Sequence, residues 1–157
     1  MKKQITDITM KTKIPPPIVT LVSALLIYFS RELFPNYVFE YQSILGIATF
    51  ISGLMILFSA VSLFKEKETT VNPMSPEKAS SLVVDGVFKY TRNPMYLGMS
   101  VVLLSISIQF NLIGGLLILS LFVAYITVFQ IIPEEEAMEE NFGEEYLSFK
   151  RSTRRWI

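Results

Sequence analysis

The sequence predicts an all-α integral membrane protein of four transmembrane helices followed by a C-terminal cytoplasmic amphipathic helix. Three observations predict it. Hydrophobic residues make up 51% of the chain and fall in long runs, more than a soluble domain of 157 residues carries. Prolines, glycines and one isolated polar triplet cut those runs into lengths suited to a bilayer. The cations are segregated: Lys2, Lys3, Lys11, Lys13, Lys65, Lys67, Lys78, Lys89, Arg92, Lys150, Arg151, Arg154 and Arg155 fall on one side of a four-span arrangement, and Arg31 alone on the other. The positive-inside rule then puts both termini in the cytoplasm, at the inner membrane of a prokaryote. Three or five spans would scatter the same charges.

The whole chain, 1–157, reads as one membrane domain. The first span, 18–34, follows Pro15-Pro16-Pro17, which keeps the helix from starting earlier. No small-residue cleavage site follows it, so it is expected to be retained and not to act as a signal peptide. Leu33 to Tyr37 is a turn with interfacial aromatics, and 41–64 is the second span, with Gly46 and Gly53 at points of close helix approach. A long cytoplasmic loop, 65–93, carries the turn signals Asn72-Pro73, Ser75-Pro76 and Asp85-Gly86.

From Met95 to Ile132 there is no charge, and the stretch is too long for one crossing at about 1.5 Å per residue. Gln109-Phe110-Asn111 is its polar break. The expectation is a helical hairpin, a short third span over 94–108 and a fourth over 112–132, brought close by Gly114-Gly115. The tail, 133–157, is a helix leaving the membrane and then a shorter amphipathic piece beyond Gly143. Its acidic residues come early and its basic residues late, as the helix dipole favours.

With neither cysteine nor histidine, thiolate catalysis, thiolate metal sites and the commonest general base are excluded, and no metal site is expected. Chemistry falls to carboxylates, Arg, Lys, Tyr and Asn, or to a cofactor. The stretch Val84 to Gly98, VDGVFKYTRNPMYLG, is the richest place for it. Pro94 suits the first turn of a helix, Asn93 can cap that helix, and Arg92 beside its positive end favours an anionic group. Topology collects this stretch, the Glu134-Glu135 pair and the Arg-rich terminus at the cytoplasmic ends of the last two spans. A carboxylate pair there suits an ammonium or sulfonium, and an arginine suits a carboxylate. The plain alternative is that Arg92 and Pro94 mark a membrane boundary and that the glutamates form a solvated helix start. By spacing alone the result is a cytoplasm-facing polar pocket.

Gly86 to Gly98 (GVFKYTRNPMYLG), Glu134-Glu135 with Met138, Phe142-Gly143, Tyr146, Phe149 and the closing Arg155-Trp156-Ile157 resemble the isoprenylcysteine carboxyl methyltransferase family and its relatives, the phospholipid N-methyltransferases and other small membrane methyltransferases. The resemblance covers roughly the C-terminal half, from about Thr70. It implies a methyltransferase using S-adenosylmethionine, with Tyr90, Arg92, Asn93, Pro94, Tyr96, Leu97 and Gly98 along one wall, Glu134 or Glu135 at the cofactor's amino group, and Tyr146 in the same site. It further implies a lipidic or small hydrophobic acceptor arriving from the bilayer. A prenylcysteine-like carboxylate comes first by resemblance, and a phospholipid amine or a thiol fits as well. Arg92, Glu135 and Arg151 are the candidate catalytic groups, with Arg92 or an arginine between Arg151 and Arg155 orienting the acceptor. Asn93 stands where many members have histidine, Phe149 where tyrosine is usual, and Arg154 where a proline often precedes the final Arg-Trp.

In-line methyl transfer needs an aligned lone pair and a dry pocket more than it needs proton transfer, so the absence of histidine is no obstacle. Two other classes compete: an NADPH-dependent relative of the sterol-type membrane reductases, and a non-enzymatic membrane scaffold whose charges only set topology. No nucleic-acid partner is expected.

Overall fold

Three consecutive prolines set where the first helix begins. In the computed structural model, which describes residues 14–35, 37–67 and 80–157, Pro15 is extended (φ −55°, ψ 131°) and Pro16 and Pro17 open helix α1, Pro16–Phe29. A proline ring at the first helical positions loses no hydrogen bond, so the helix starts inside the triplet, two residues before the expected boundary. One 3₁₀ turn, Ser30–Leu33, ends it. The turn signals at Asn72-Pro73 and Ser75-Pro76, and the cations Lys2, Lys3, Lys11, Lys13 and Lys78, lie outside the described residues.

Helix α2, Gln42–Glu66, buries only Gly46, Gly53 and Ala60, three small residues seven apart that make one seam. The seam faces α3, Pro94–Phe110, and the contact is closest where two glycines meet. A Cβ on Gly53 would lie 3.0 Å from the Gly98 carbonyl oxygen, and one on Gly98 would lie 3.0 Å from that of Gly53. Small residues let backbones approach in this way where no water is available to drive helices together.

The polar break expected over Gln109 to Asn111 contracts to Asn111 alone. Gln42 Nε2 donates to the carbonyls of Ile108 (2.7 Å) and Gln109 (3.2 Å), pairing acceptors that a helix end otherwise leaves open, so α3 continues through Phe110. Asn111 then caps α4, Leu112–Ile126, by accepting from the Gly114 N–H at 3.0 Å, and donates to Ser30 Oγ at 3.1 Å. Gly115 makes the hairpin tight, as expected: a Cβ there would fall 2.8 Å from Ser107 Cα.

The fourth helix does not stop at Ile132. α4 passes through a π turn, Thr127–Ile131, into α5, Ile132–Phe142. Pro133 would ordinarily break a helix, because it has no N–H and its ring presses on the carbonyl four residues back. That carbonyl belongs to Phe129, inside the π turn, where the widened backbone accommodates the ring. Gly143 (φ 52°, ψ −124°) then turns the chain into α6, Glu144–Ser152.

Among the described residues all regular structure is helical. Three stretches, Pro16–Leu33, Gln42–Glu66 and Leu112–Phe142, are long and apolar enough to cross a membrane, and Pro94–Phe110 is a shorter apolar helix. The chain is an integral membrane protein. Helix α3 lies at its centre, touching α1, α2 and α4. Ile27, Leu103, Phe122, Ile126 and Ile131 form the middle of the core, while Ala60, Val83, Phe88, Tyr146 and Phe149 form a second cluster at one end.

Candidate functional site

The start of α1, the end of α2, the start of α3 and helices α5 and α6 enclose a cavity of about 230 Å³. Pro16, Phe64, Val83, Met95, Met99 and Met138 supply apolar wall, and Arg92, Asn93, Tyr96, Glu134, Glu135 and Tyr146 supply the polar groups. The Asn93-Pro94 step puts the polar set at the mouth of an apolar helix, because a residue before proline is driven out of the helical region while proline opens the helix. Asn93 makes no side-chain cap. Its N–H goes to Thr91 Oγ1 (3.1 Å), and its Nδ2 donates to the Arg155 carbonyl at 3.0 Å. A carbonyl from the distant tail therefore takes the side chain that local spacing assigned to the helix end.

The neighbouring glutamates have different partners. Glu135 is buried and ionically paired: Arg92 Nη2 reaches its Oε1 at 2.7 Å, while Arg155 Nε and Nη2 reach Oε1 and Oε2 at 3.0 and 2.7 Å. Two guanidinium groups thus hold this one carboxylate by charge-assisted hydrogen bonds. The bond to Glu135 likewise holds Arg155 above the usual arginine range. Glu134 has no cation beside it. Tyr96 donates to its Oε1 at 2.5 Å, which leaves Oε2 for a ligand. Tyr146, in α6, is buried near Arg92 and Glu135, and burial raises the pKa of its phenol, so it stays neutral.

Arg92 is committed to protein acceptors. Besides Glu135, it donates through Nη1 to the carbonyls of Thr153 (2.5 Å) and Lys150 (3.3 Å), and its side chain is only 8% exposed. Its Nε is buried on the side of Tyr146 and has no accessible surface of its own.

Of the residues singled out from sequence, Arg92, Asn93, Pro94, Tyr96, Glu134, Glu135 and Tyr146 line this one cavity. Four do not. Tyr90 is 79% exposed, Gly98 packs against α2, Leu97 lies outside the lining, and the Arg151 guanidinium is 68% exposed beside Glu144. Arg154 is also exposed. Sequence reasoning assigned no role to Met99 in the wall, or to Thr127, which accepts a hydrogen bond from Trp156. The methionine at 99 sits one turn beyond Tyr96 and Met95 on α3, a helical spacing that carries the signal.

An all-helical membrane protein whose charged pocket lies at one end of its helices, beside an Arg-Asn-Pro helix start and a glutamate pair, defines the class. Residues 41–145, about two thirds of the chain, match the family described as phospholipid methyltransferase, and the chain belongs to that family. No curated protein and no solved structure matches it.

Proposed function

We propose that the chain is a methyltransferase that binds S-adenosylmethionine in this cavity and methylates an amine presented from the membrane. The observation that carries the reading is the division of labour between the two glutamates, found within the span matched to a methyltransferase family. The site fits parts of the cofactor: Glu134 Oε2 is available to an ammonium, and the methionine and phenylalanine wall to an aromatic base. S-adenosylmethionine, when bound, supplies an electrophilic methyl group on a sulfonium.

The protein's own groups bind, orient and dry the site. Met95, Met99, Val83 and Phe149 exclude water, so an amine lone pair enters undiluted by hydration. The proton that an amine sheds on alkylation passes to water at the polar end of the cavity, since Glu134 is engaged by the cofactor and Glu135 by Arg92 and Arg155. A carboxylate acceptor is less well served. Arg92 in the lining has both Nη atoms engaged by protein, and Glu134, with no cation beside it, would repel an incoming anion. The amine reading therefore takes precedence over the prenylcysteine-like acceptor expected from resemblance.

In this proposal the domain is single. All four apolar helices cross the bilayer, the cavity end faces the cytoplasm with both termini, and α6 lies along the surface. The described cations support this sidedness: Lys65, Lys67, Lys89, Arg92, Lys150, Arg151, Arg154 and Arg155 lie at the cavity end and Arg31 at the other. The test pairs calorimetry of the purified protein against S-adenosylhomocysteine and NADPH with transfer of labelled methyl groups to vesicles. Binding of S-adenosylhomocysteine with label in an ethanolamine lipid supports the reading. Label only in a prenylcysteine shifts the acceptor class, and binding of NADPH alone overturns the reading.

A further inference from the structure

The last residues leave α6 at Thr153, which is extended (φ −130°, ψ 133°), and run between two other parts of the chain. On one side the Thr91 to Asn93 loop takes three successive carbonyls of this strand. Arg92 Nη1 donates to Thr153 O (2.5 Å), the Arg92 N–H to Arg154 O (3.0 Å), and Asn93 Nδ2 to Arg155 O (3.0 Å). On the other side, two side chains of the strand hold the fourth helix two turns apart. Trp156 Nε1 donates to Thr127 Oγ1 at 3.2 Å, at the start of the π turn, and Arg155 clasps both oxygens of Glu135.

We propose that the C-terminal segment is a latch, and that Arg155 and Trp156 are positioning residues that fix the Arg92–Glu135 pair and thereby the cavity wall. The inference rests on the methyltransferase reading for its effect on turnover but not for the latch itself. Arg155 supplies the partner of Glu135 Oε2 and the second partner of Oε1. Without it the carboxylate is free to pivot on its single bond to Arg92. The guanidinium that lines the cavity then loses a fixed partner on Nη2 and is left to the Thr153 and Lys150 carbonyls on Nη1. Trp156 acts upstream: its indole packs against the central core and pins Thr127, so the π turn and the glutamates beyond it keep one register. Displacement of a reacting group by about 1 Å is enough to lower turnover 100-fold.

Arg154 is a built-in control, adjacent and equally charged, with an exposed side chain and only its carbonyl in the latch. The full-length chain is compared with Arg155→Ala, Trp156→Phe and Arg154→Ala by hydrogen exchange over residues 90–98 and 127–138. Methyl transfer at saturating cofactor and acceptor is measured alongside, with and without added ethylguanidinium. The expected result is faster exchange in both segments for Arg155→Ala and in 127–138 for Trp156→Phe. Turnover in Arg155→Ala should fall about tenfold or more, with KM for the acceptor little changed, and ethylguanidinium should restore part of it. Arg154→Ala should match the parent. Unchanged exchange in Arg155→Ala overturns the latch, and raised exchange with parental turnover overturns the positioning role. A loss of turnover that tracks thermal stability and resists guanidinium reduces the segment to a structural tie. If the parent binds no S-adenosylhomocysteine, the methyltransferase reading fails while the exchange data still decide the latch.

Discussion

Tyr96 and Glu134 meet at 2.5 Å across the cavity, from helices α3 and α5, and this bond sets Glu134 apart from the neighbouring glutamate in the sequence. Glu135 neutralises two arginines, whereas Glu134 has only a phenol and an open side. Glu134→Gln is expected to weaken S-adenosylhomocysteine binding at least tenfold, roughly 1.4 kcal/mol, with little change in thermal stability. Glu135→Ala is expected to do the reverse first, costing about 3–5 kcal/mol because two guanidinium groups lose their counter-charge. Calorimetry and thermal melting in detergent separate the two, and equal effects of both changes on binding would remove the distinction.

Arg92→Lys keeps the charge but not the planar fork, and here the fork spans Glu135 and the carbonyls of Thr153 and Lys150. A lysine amine cannot reach all three. Membrane insertion should be retained, turnover should drop about tenfold or more, and the melting temperature should fall. Parental activity and melting would reduce Arg92 to a topology marker.

Asn93 serves the tail and not the helix end, and its substitutions follow from that. Asn93→Asp removes the donor and sets a carboxylate against the Arg155 carbonyl, so activity and stability should both fall. Asn93→His retains a donor and should be tolerated. Asn93→Ser should show a partial loss, because no cap is at stake. A Ser variant equal to the parent, together with an active Asp variant, would show that the bond to the tail is dispensable.

Gly115→Val tests the hairpin. A Cβ would come within 2.4 Å of Ser107 Cβ and 2.8 Å of its Cα, so α3 and α4 must separate, at a cost of about 1–3 kcal/mol or more. Ser107→Gly in the same chain should recover part of the loss by removing the side-chain clash while leaving the backbone one. No recovery in the melting temperature would show that the strain lies elsewhere.

What was legible in the sequence was local or periodic. Pro16-Pro17, Asn93-Pro94 and Gly143 mark helix ends by backbone chemistry that needs no partner, and Gly46 and Gly53 announce a close contact because nothing else in a span is so small. The gathering of Arg92, Tyr96 and Glu134 followed from the order of the helices. Pairings chosen in three dimensions were not legible. Of the several arginines near the terminus, Arg155 and not Arg151 meets Glu135, which depends on how Gly143 aims α6 and where the chain goes after Thr153. Asn93 looked like a cap because sequence shows its near neighbours and not a carbonyl 62 residues away. The π turn left no compositional mark at all.

That turn also makes the fourth helix a rod with a step in its phase. Upstream of Thr127 the stripe meeting α3 obeys one angular setting, and downstream of Ile131 the acidic face obeys another, one residue out of step. A residue's share of an α-helical turn is about 100°. Winding Thr127–Ile131 into a regular α form with every residue kept would swing Glu134 and Glu135 by about that angle, off the cavity and toward lipid or solvent, whereas deleting one residue from the turn would close it and leave their direction nearly unchanged. The upper part of the helix can therefore suit the bilayer and the lower part its ligand, as long as the phase set by the widened turn between them is kept.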